Sequence, residues 1–425
     1  MNNITKKIGI IGLGTVGEAT VASIKKQRSL IDKRTSINLK VVKVCDARKH
    51  KARIAGKYSV SFTNNPYDII NDPAIDVVVE LIGGIEPAKT YILESLKNGK
   101  DVVTANKALL AKYGKQIFNV AGKLNRSIGF EASVCGAIPL IQIISRGLVA
   151  CKVKKLYGIL NGTTNYILYM MAKEKMSFSS ALKEAQRKGF AEKKANFDID
   201  GIDTLHKISI LSYLCFGTWP SLNNIYVEGI SKISLLDIVY ASELSYTIKL
   251  VAIASKEKNR LDLRVHPALI PCEHPLAQVN LAFNAVWLDV YPAGELLFYG
   301  EGAGGVPTSS SVISDIVNIS LAKPSFIQEI SSIKFLNIGN IVNRYYIRFM
   351  AKDRPGVLSK ISKILASLDI SIASVTQKER KERNFVPIVM VTHQAKEANI
   401  QKAISRIDRF SVIKGPSCVI RIENL

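Results

Sequence analysis

The amino-terminal stretch "KIGIIGLGTVGEATVASI" restricts the possible folds of this chain more than any other segment. It starts with a short apolar run typical of a buried β-strand and ends in a helix-forming segment, with Gly12, Gly14 and Gly17 between the two. In this G-x-G-x-x-G spacing the first glycine permits a tight turn, the second lets a pyrophosphate approach the backbone, and the third allows close helix–strand packing. The stretch therefore predicts a dinucleotide-binding βαβ unit, rather than a glycine-rich turn without a ligand.

Valine-rich runs predict further strands, namely "LKVVKVCD", "DVVVELIG" and "DVVTANK", and helical segments separate them. This alternation indicates an α/β fold with a Rossmann-type doubly wound parallel sheet. Asp46, at the end of the second predicted strand, is placed to bind a ribose 2′-hydroxyl, although it lies further from the glycines than the usual roughly 20 residues. Arg48 and Lys49 just beyond could instead hold a 2′-phosphate, so this region is compatible with either NAD or NADP as the cofactor.

At 425 residues the chain is long enough for two or three domains. Residues 1–140 form the predicted nucleotide-binding domain, completed by a second glycine loop and helix at about 301–325. Long helices and extended segments at 141–300 predict an inserted α+β domain, and we expect it to be the substrate-binding, catalytic and dimerisation domain. A linker at 326–342 leads to residues 343–425, where strand and helix patterns predict a ferredoxin-like βαββαβ domain.

The formal net charge of +23 raises the question of nucleic-acid binding. The basic residues are spread along the chain, with only short runs such as "KHKARIAGK" and "KERKER", and no basic patch is interleaved with aromatic residues. We therefore expect a solvated surface that favours anionic small molecules, and no nucleic-acid partner. No apolar run approaches the roughly 18 residues of a membrane helix, and six cysteines without a C-x-x-C pair fit a reducing cytoplasm.

The acidic stretch "FDIDGIDTLHK" contains Asp203 and Lys207, which are four residues apart and share a face of a predicted helix. Spacing alone favours a helix start with Asp200 as N-cap and an exposed Asp203–Lys207 ion pair. A calcium loop is excluded because "DIDG" lacks the further acids that such a loop requires. His206 is expected to be structural, whereas Lys107 follows a predicted strand, where parallel sheets bind ligands, and is either a site residue or a solvated loop lysine.

Several motifs occur in an order that resembles the homoserine dehydrogenase family: "GLGTVG", "VTANKALL", "FEASVCGAIPLI", "GILNGTTNYIL", "GFAE", "FDIDGIDTLHKISIL" and "GEGAGGVPTSSSVISDI". The C-terminal region is similar to an ACT domain, and together these segments cover nearly the whole chain. The resemblance implies an NAD(P)-dependent, reversible reduction of L-aspartate 4-semialdehyde to L-homoserine in threonine and methionine biosynthesis. It also implies threonine as an effector near the turn at 353–356, and a homodimer or homotetramer.

The same resemblance implies roles for three catalytic residues. Lys207 matches the proton donor and acceptor at the substrate oxygen, Asp203 its acidic partner, and Lys107 a lysine between nicotinamide and substrate. Aldehyde reduction requires a proton and positive charge at the developing alkoxide, and a lysine supplies both.

Substrate-binding roles fall on a second set, namely Glu192, Asp198, Asn161, Gly162 and Thr163. The two acids are implied near the substrate's amino-acid head, where carboxylates would accept charge-assisted hydrogen bonds from an ammonium group. Lys193-Lys194-Ala195 stands where the family commonly has another acid and a proline, so we expect an altered substrate affinity.

The expected cofactor is NADP or NAD, and the residues expected to contact it are Gly12, Leu13, Gly14, Thr15, Val16, Gly17, Asp46, Arg48, Lys107, Gly302, Ala303 and Gly304. A monovalent cation, sodium or potassium, is implied at a site built mainly from backbone carbonyls of Glu131, Val134, Gly136 and Ile138.

Three competing functions remain to be distinguished. A 2-hydroxyacid dehydrogenase of the phosphoglycerate type can also combine a nucleotide domain with an ACT domain, but its chemistry requires a catalytic histidine with an acidic partner and an arginine. No such set surrounds the five histidines. A non-catalytic amino-acid sensor would bind threonine without turnover, and a nucleic-acid binder would show steeply salt-dependent binding.

Overall fold

A computed structural model describes residues 4–321, 333–378 and 385–425. The start of the predicted linker (326–332), the end of the predicted 301–325 segment and all but the first residue of the "KERKER" run lie outside these described residues.

The chain divides into two compact units. The first is Met1–Val153 with His206–Leu222 and Leu288–Ser331, and the second is Lys154–Leu205 with Asn223–Trp287 and Ser332–Leu425. The predicted domain boundaries stay a proposal. Over the described ranges, no helix combines the length and apolar character needed to cross a bilayer.

The helices of the described residues, in chain order, are α1 (Thr15–Thr35), α2 (Ala52–Lys57), α3 (Tyr67–Ile70), α4 (Ala88–Lys97), α5 (Lys107–Lys123), α6 (Leu140–Gln142), α7 (Gly162–Lys173), α8 (Phe178–Arg187), α9 (Asn196–Ile199), α10 (Ile202–Phe216), α11 (Leu235–Glu243), α12 (Gly305–Leu321), α13 (Val357–Ala366) and α14 (Glu397–Ile407). The strands are β1 (Ile4–Ile11), β2 (Ile37–Cys45), β3 (Ser61–Thr63), β4 (Val77–Glu80), β5 (Asp101–Thr104), β6 (Ile128–Gly129), β7 (Lys152–Ile159), β8 (Tyr226–Val227), β9 (Tyr246–Glu257), β10 (Arg260–Pro271), β11 (Phe283–Tyr291), β12 (Gly294–Glu301), β13 (Lys334–Phe335), β14 (Val342–Lys352), β15 (Ile372–Gln377), β16 (Phe385–Thr392), β17 (Ala395–Lys396) and β18 (Cys418–Ile422).

The first unit contains a parallel sheet with strand order β3-β2-β1-β4-β5-β6. All six strands are parallel, and their order along the sheet reverses between β1 and β4. This is the Rossmann arrangement, and it confirms the predicted doubly wound sheet. In the central strands, residues 8–11 of β1, Val77–Glu80 of β4 and residues 102–104 of β5 are buried, as their apolar runs require when helices cover both faces. On one face α1 and α12 pack together, and their apolar residues, such as Val21 and Val312, belong to the same core cluster as β1.

The second unit is built on a mixed sheet that includes β7, β9, β10, β18, β14, β16 and β15 as successive neighbours. The last four strands are antiparallel to one another, and with α13 and α14 they form the predicted ferredoxin-like βαββαβ fold. A single core cluster, which includes Tyr345, Ile361 and Ile400, joins these strands to both helices. The terminal strand β18 also pairs with β10 in parallel, so one sheet continues from the C-terminal fold into the rest of the unit.

A buried ionic cluster crosses this junction, and we call it the Arg421 network. Arg421 on β18 is 1% exposed. Its guanidinium donates to both carboxylate oxygens of Glu397 on α14, at 2.9 and 2.7 Å, and to Glu228 just after β8, at 2.9 Å. It also donates to the Tyr226 hydroxyl at 3.1 Å. The network therefore connects the C-terminal fold to the β8–β10 region through opposite charges that are largely withdrawn from water.

Candidate active site

The first glycine loop has the geometry that a pyrophosphate needs. Gly12 has a φ of +107° and packs so closely that an added Cβ would lie 2.7 Å from the backbone of Leu81. A Cβ on Gly17 would meet the Gly12 carbonyl, whereas the space around Gly14 is open. Gly14 is the N-cap of α1 and makes no side-chain cap, so the first backbone N–H groups of this helix lack the partner that a polar N-cap side chain would provide. These features fit an anionic cofactor group at this turn.

The second glycine loop lies beside the first in the same unit. A Cβ on Gly305, the first residue of α12, would lie 2.9 Å from the Thr15 side chain. A Cβ on Gly136 would lie 2.7 Å from the Gly302 carbonyl oxygen, so the 302–304 loop is also close to residues around 136. The structure thus brings together two segments that are about 290 residues apart in the sequence, and both stay predicted cofactor contacts.

Asp46 and Arg48 form an ion pair at the end of β2. The Asp46 carboxylate accepts the N–H of Leu13 at 2.9 Å, the N–H of Arg48 at 2.9 Å, and two guanidinium hydrogen bonds from Arg48 at 2.9 Å each. The bonds from Arg48 hold the pKa of this carboxyl well below its usual range. Because the Arg48 side chain is 54% exposed, it remains accessible to a ligand from the outer side. The carboxylate proposed to bind a ribose hydroxyl is thus already saturated, and the accessible charge here is positive.

Sequence reasoning missed a group of polar residues where β4 and β5 end, which we call the Glu80 ring (Glu80, Gly84, Thr104 and Asn106). The fully buried Glu80 carboxylate accepts the Thr104 hydroxyl at 2.6 Å. Asn106 is the N-cap of α5, and its side-chain amide donates to the Gly84 carbonyl at 2.7 Å. Lys107 follows directly as the first residue of α5. The signal was available, since a glutamate inside the apolar run "DVVVELIG" is rarely buried without a partner.

Two residues of the predicted cation site, Glu131 and Gly136, form hydrogen bonds within the protein. The Glu131 carboxylate accepts the N–H groups of Ile141 and Gln142 at 2.7 and 2.8 Å, and the Gly136 carbonyl accepts the Ser311 hydroxyl at 2.5 Å. Over residues 4–321, 333–378 and 385–425, no group of three or more His, Cys, Asp or Glu side chains is arranged to hold a metal. The contacts of Glu131 and Gly136 therefore give a cation no direct support, and the sodium or potassium site stays a prediction.

In the second unit, one amide holds two of the predicted acids. Asn161 caps α7 by accepting the Thr164 N–H at 2.8 Å, and its Nδ2 donates to Asp198 at 2.7 Å and to Asp203 at 2.9 Å. This arrangement requires three separate chain segments, and it leaves Asp203 only 3% exposed. The predicted residues Asn161, Asp198 and Asp203 therefore form one cluster.

The neighbouring predicted residues have different surroundings. Gly162 packs against the chain, because a Cβ there would lie 2.5 Å from the Ala282 carbonyl oxygen. The Thr163 hydroxyl donates to the Phe190 carbonyl at 2.6 Å, which ties the start of α7 to the "GFAE" segment. Glu192 is exposed, as are Lys193 and Lys194. Glu192 thus lies on the surface, and its implied contact with the substrate stays a prediction.

The predicted start of α10 needs two corrections. Asp200 is not the N-cap, because it ends α9, and Gly201, with a φ of +82°, precedes the first residue of α10. Asp203 does lie in the first turn, but the predicted exposed ion pair is wrong, since Asp203 and Lys207 are 3% and 6% exposed. The reason is that α10 is apolar on most of its surface and packs inside the protein, which its first turn alone does not reveal.

Lys249 and Asn165 hold the 279–283 segment against α7, and sequence reasoning missed both. The Asn165 amide donates to the carbonyls of Val279 and Leu281 at 2.9 and 3.0 Å. The Lys249 ammonium donates to Asn165 Oδ1 at 3.0 Å and to the Val279 carbonyl at 2.5 Å. Lys249 is 2% exposed, and this burial lowers its pKa to about 8.

We expect Lys249 to make the stability of the protein rise between pH 8 and about 10.4, the ordinary lysine pKa. In that range the unfolded chain binds a proton that the folded protein does not, so the free energy of unfolding increases with pH. The full difference is on the order of 3 kcal/mol. Urea unfolding of wild type and Lys249→Met at several pH values measures it, and an identical pH slope in both proteins would contradict the assignment.

Comparisons with known proteins agree with this geometry. A family model described as homoserine dehydrogenase matches residues 139–317, one described as homoserine dehydrogenase, NAD binding domain, matches residues 12–131, and one described as ACT domain matches residues 345–410. The curated homoserine dehydrogenase of Neisseria gonorrhoeae is 40% identical over 429 residues, which cover 98% of each chain.

Solved structures give the same result. A homoserine dehydrogenase from Thiobacillus denitrificans is similar with a TM-score of 0.93 and 40% identity, covering 99% of this chain and 98% of that one. A hyperthermophilic archaeal homoserine dehydrogenase in complex with NADPH is similar with a TM-score of 0.65 and 27% identity, covering 76% of this chain and 100% of that one.

Proposed function

The chain belongs to the homoserine dehydrogenase family of nicotinamide-dependent oxidoreductases, and from that premise we propose which residues carry out its reaction. The reaction is the reversible reduction of L-aspartate 4-semialdehyde to L-homoserine, in the biosynthesis of threonine and methionine. The main support is the cluster in which the Asn161 amide donates to Asp198 and Asp203. Asp203 lies one helical turn before Lys207 on α10.

Lys207 is the proposed proton donor to the aldehyde oxygen during reduction and the acceptor during oxidation. When bound, a nicotinamide would supply the hydride to the aldehyde carbon in reduction and would accept it from the corresponding alcohol carbon in oxidation. Lys207 is buried, so its charge acts in a medium of low dielectric constant, where it stabilises a developing alkoxide more than it would in water. Asp203 lies one turn earlier on the helix and is held in orientation by Asn161. Lys107 contributes a second positive charge from the start of α5.

Asp198 is the proposed partner of the substrate ammonium group, because it lies next to Asn161 and is only partly buried. Glu192 is a second candidate, from the surface. Lys193 and Lys194 are exposed beside Glu192, at the positions where the family commonly has another acid and a proline. The local charge is therefore less negative, which predicts weaker binding of the substrate ammonium group.

The reaction is tested by following the absorbance of NADPH with L-aspartate 4-semialdehyde, and the reverse with L-homoserine and NADP. We expect turnover in both directions and none with 3-phosphoglycerate and NAD. Binding of threonine without any turnover would instead identify a sensor, and turnover of 3-phosphoglycerate would identify the 2-hydroxyacid dehydrogenase.

NADP is the proposed cofactor in preference to NAD, on the evidence of Arg48. Its guanidinium neutralises Asp46, which would otherwise repel a 2′-phosphate, and the basic side chains of the 3-10 turn Lys49–Lys51, just before α2, add further positive charge. The predicted ribose contact of Asp46 is weakened by the same bonds.

Arg48→Ala is expected to lower kcat/KM for NADPH roughly tenfold relative to that for NADH, because a charge-assisted phosphate contact is lost and the Asp46 carboxylate is uncovered. Initial rates over a range of each cofactor give the ratio. Arg53→Ala on α2 removes the same charge and is the matched control, since Arg53 is exposed and has no proposed contact. An unchanged ratio in Arg48→Ala would refute the NADP assignment.

The ACT domain supports regulation by a small-molecule effector, and we take L-threonine as that effector. The proposed contact is the turn at 353–356, where Gly356 has a φ of +83° and leads into α13, and where Asp353 accepts a hydrogen bond from Gln377 at 3.2 Å.

Threonine should lower the initial rate, and Asp353→Ala should reduce this inhibition while leaving the uninhibited rate unchanged. Truncation before this domain is a poorer test, because β18 is a neighbour of β10. An insensitive wild-type rate would refute regulation by threonine.

The proposals for assembly and location rest on the family resemblance and the sequence. A homodimer or homotetramer in the cytoplasm is proposed, and light scattering after size-exclusion chromatography distinguishes the two oligomers from a monomer.

A further inference from the structure

We propose that Glu80 and Thr104 are positioning residues for the reaction, acting through Asn106 on Lys107. This inference rests on the proposed role of Lys107. It concerns residues that touch neither substrate nor cofactor in the scheme above, and it assigns a function to the Glu80 ring.

The ring fixes the backbone directly before Lys107 from two sides. On one side, the Thr104 hydroxyl donates to Glu80 and accepts the N–H of Asn106 at 3.0 Å. On the other, the Asn106 side chain donates to Gly84 and accepts the N–H of Leu109 at 3.1 Å. Asn106 is therefore held by hydrogen bonds at both its backbone and its side chain. Because Lys107 is the next residue, the origin of its side chain is fixed with it.

The same carboxylate also shapes the loop after β4. Glu80 Oε1 accepts the N–H groups of Ile82 and Gly83 at 2.8 and 3.2 Å, and Gly84, one residue later, is the acceptor for Asn106. The ring of hydrogen bonds is thus closed, from Glu80 through the loop to Asn106 and back through Thr104. Removal of one member leaves a buried donor or acceptor without its partner, which costs more than the net worth of one hydrogen bond.

The loop that Glu80 holds is also part of the cofactor turn. An added Cβ on Gly12 would lie 2.7 Å from Leu81 and 3.0 Å from Ile82, so the first glycine turn rests directly on this loop. The Glu80 carboxylate therefore holds both the loop on which the glycine turn packs and, through Thr104, the backbone at the start of α5. A role in aligning Lys107 with a bound nicotinamide follows, because catalysis is sensitive to displacements of about 1 Å.

The test uses Thr104→Val, which keeps the shape of the side chain and removes its hydroxyl. We expect kcat to fall roughly tenfold or more, while KM for NADPH changes little. Thr104→Ser restores the hydroxyl and should recover most of kcat. The matched control is Asp101→Asn at the other end of β5, where a carboxylate accepts the Ser127 N–H at 2.8 Å. This variant should keep wild-type kcat, and near-ultraviolet circular dichroism verifies that all variants are folded.

A double variant decides whether the effect passes through Lys107. If Thr104 acts by positioning this lysine, Thr104→Val should cause no further loss of kcat in a Lys107→Ala background. The same fold loss in both backgrounds, or wild-type kcat in Thr104→Val, overturns the positioning role and leaves the proposed role of Lys107 intact. Wild-type kcat in Lys107→Ala would instead refute the role of Lys107 itself, and the positioning role with it.

Discussion

Lys207→Met is expected to lower kcat by about two to four powers of ten, the range that general acid–base catalysis typically contributes. Methionine preserves the apolar stem of the lysine, which is 6% exposed, and removes only the ammonium group. The aldehyde oxygen would then lose both its proton donor and the positive charge that stabilises it. Cofactor affinity, measured by fluorescence titration with NADPH, should be nearly unchanged.

The control for this result is Lys100→Met, a second buried lysine in the first unit. Lys100 is 3% exposed and donates to the carbonyls of Asp72 and Ile75, at 2.5 and 2.9 Å, just before β5 begins. Because ligands bind beyond the carboxyl ends of parallel strands, Lys100 lies at the wrong edge of the sheet for catalysis. Its replacement should change stability and preserve kcat. Comparable kcat values in Lys207→Met and wild type would exclude Lys207 as the proton donor.

Arg421→Met is expected to reduce the free energy of unfolding by about 3–5 kcal/mol, the typical cost of removing one partner from a buried ion pair. The penalty arises because Glu397, which is 2% exposed, would keep its negative charge without the two hydrogen bonds from the guanidinium. Urea unfolding followed by circular dichroism measures the change.

Two further variants make this interpretation specific. Glu397→Gln in the Arg421→Met background removes the stranded charge, so it should recover part of the lost stability. Arg187→Met breaks a pair with Glu184 on the surface of α8, where the arginine is 71% exposed, and should have little effect. Equal losses in Arg421→Met and Arg187→Met would mean that the Arg421 network contributes no more than a surface pair.

Local patterns were sufficient to predict the Rossmann-type sheet, α12 after the second glycine loop, and the C-terminal βαββαβ fold. The strand ends were less accurate: the run predicted at 76–83 is a strand only over Val77–Glu80. Beyond Glu80 the backbone turns to donate N–H groups to that side chain, and the apolar pattern does not report this. The error at α10 has a related origin, since burial of Asp203 depends on what surrounds the helix.

The sequence alone determined those features whose cause is local. Gly12 and Gly17 predict the turn because their requirements are local: Gly12 has a φ of +107°, and Gly17 packs on the Gly12 carbonyl in the same turn. Tertiary structure alone decided which polar groups share a buried site. Thr104 and Glu80 are separated by 24 residues, and Arg421 and Glu228 by 193. Such pairs depend on how the elements pack, since a charge or hydroxyl is tolerated in the interior only where the folded chain brings a partner to it.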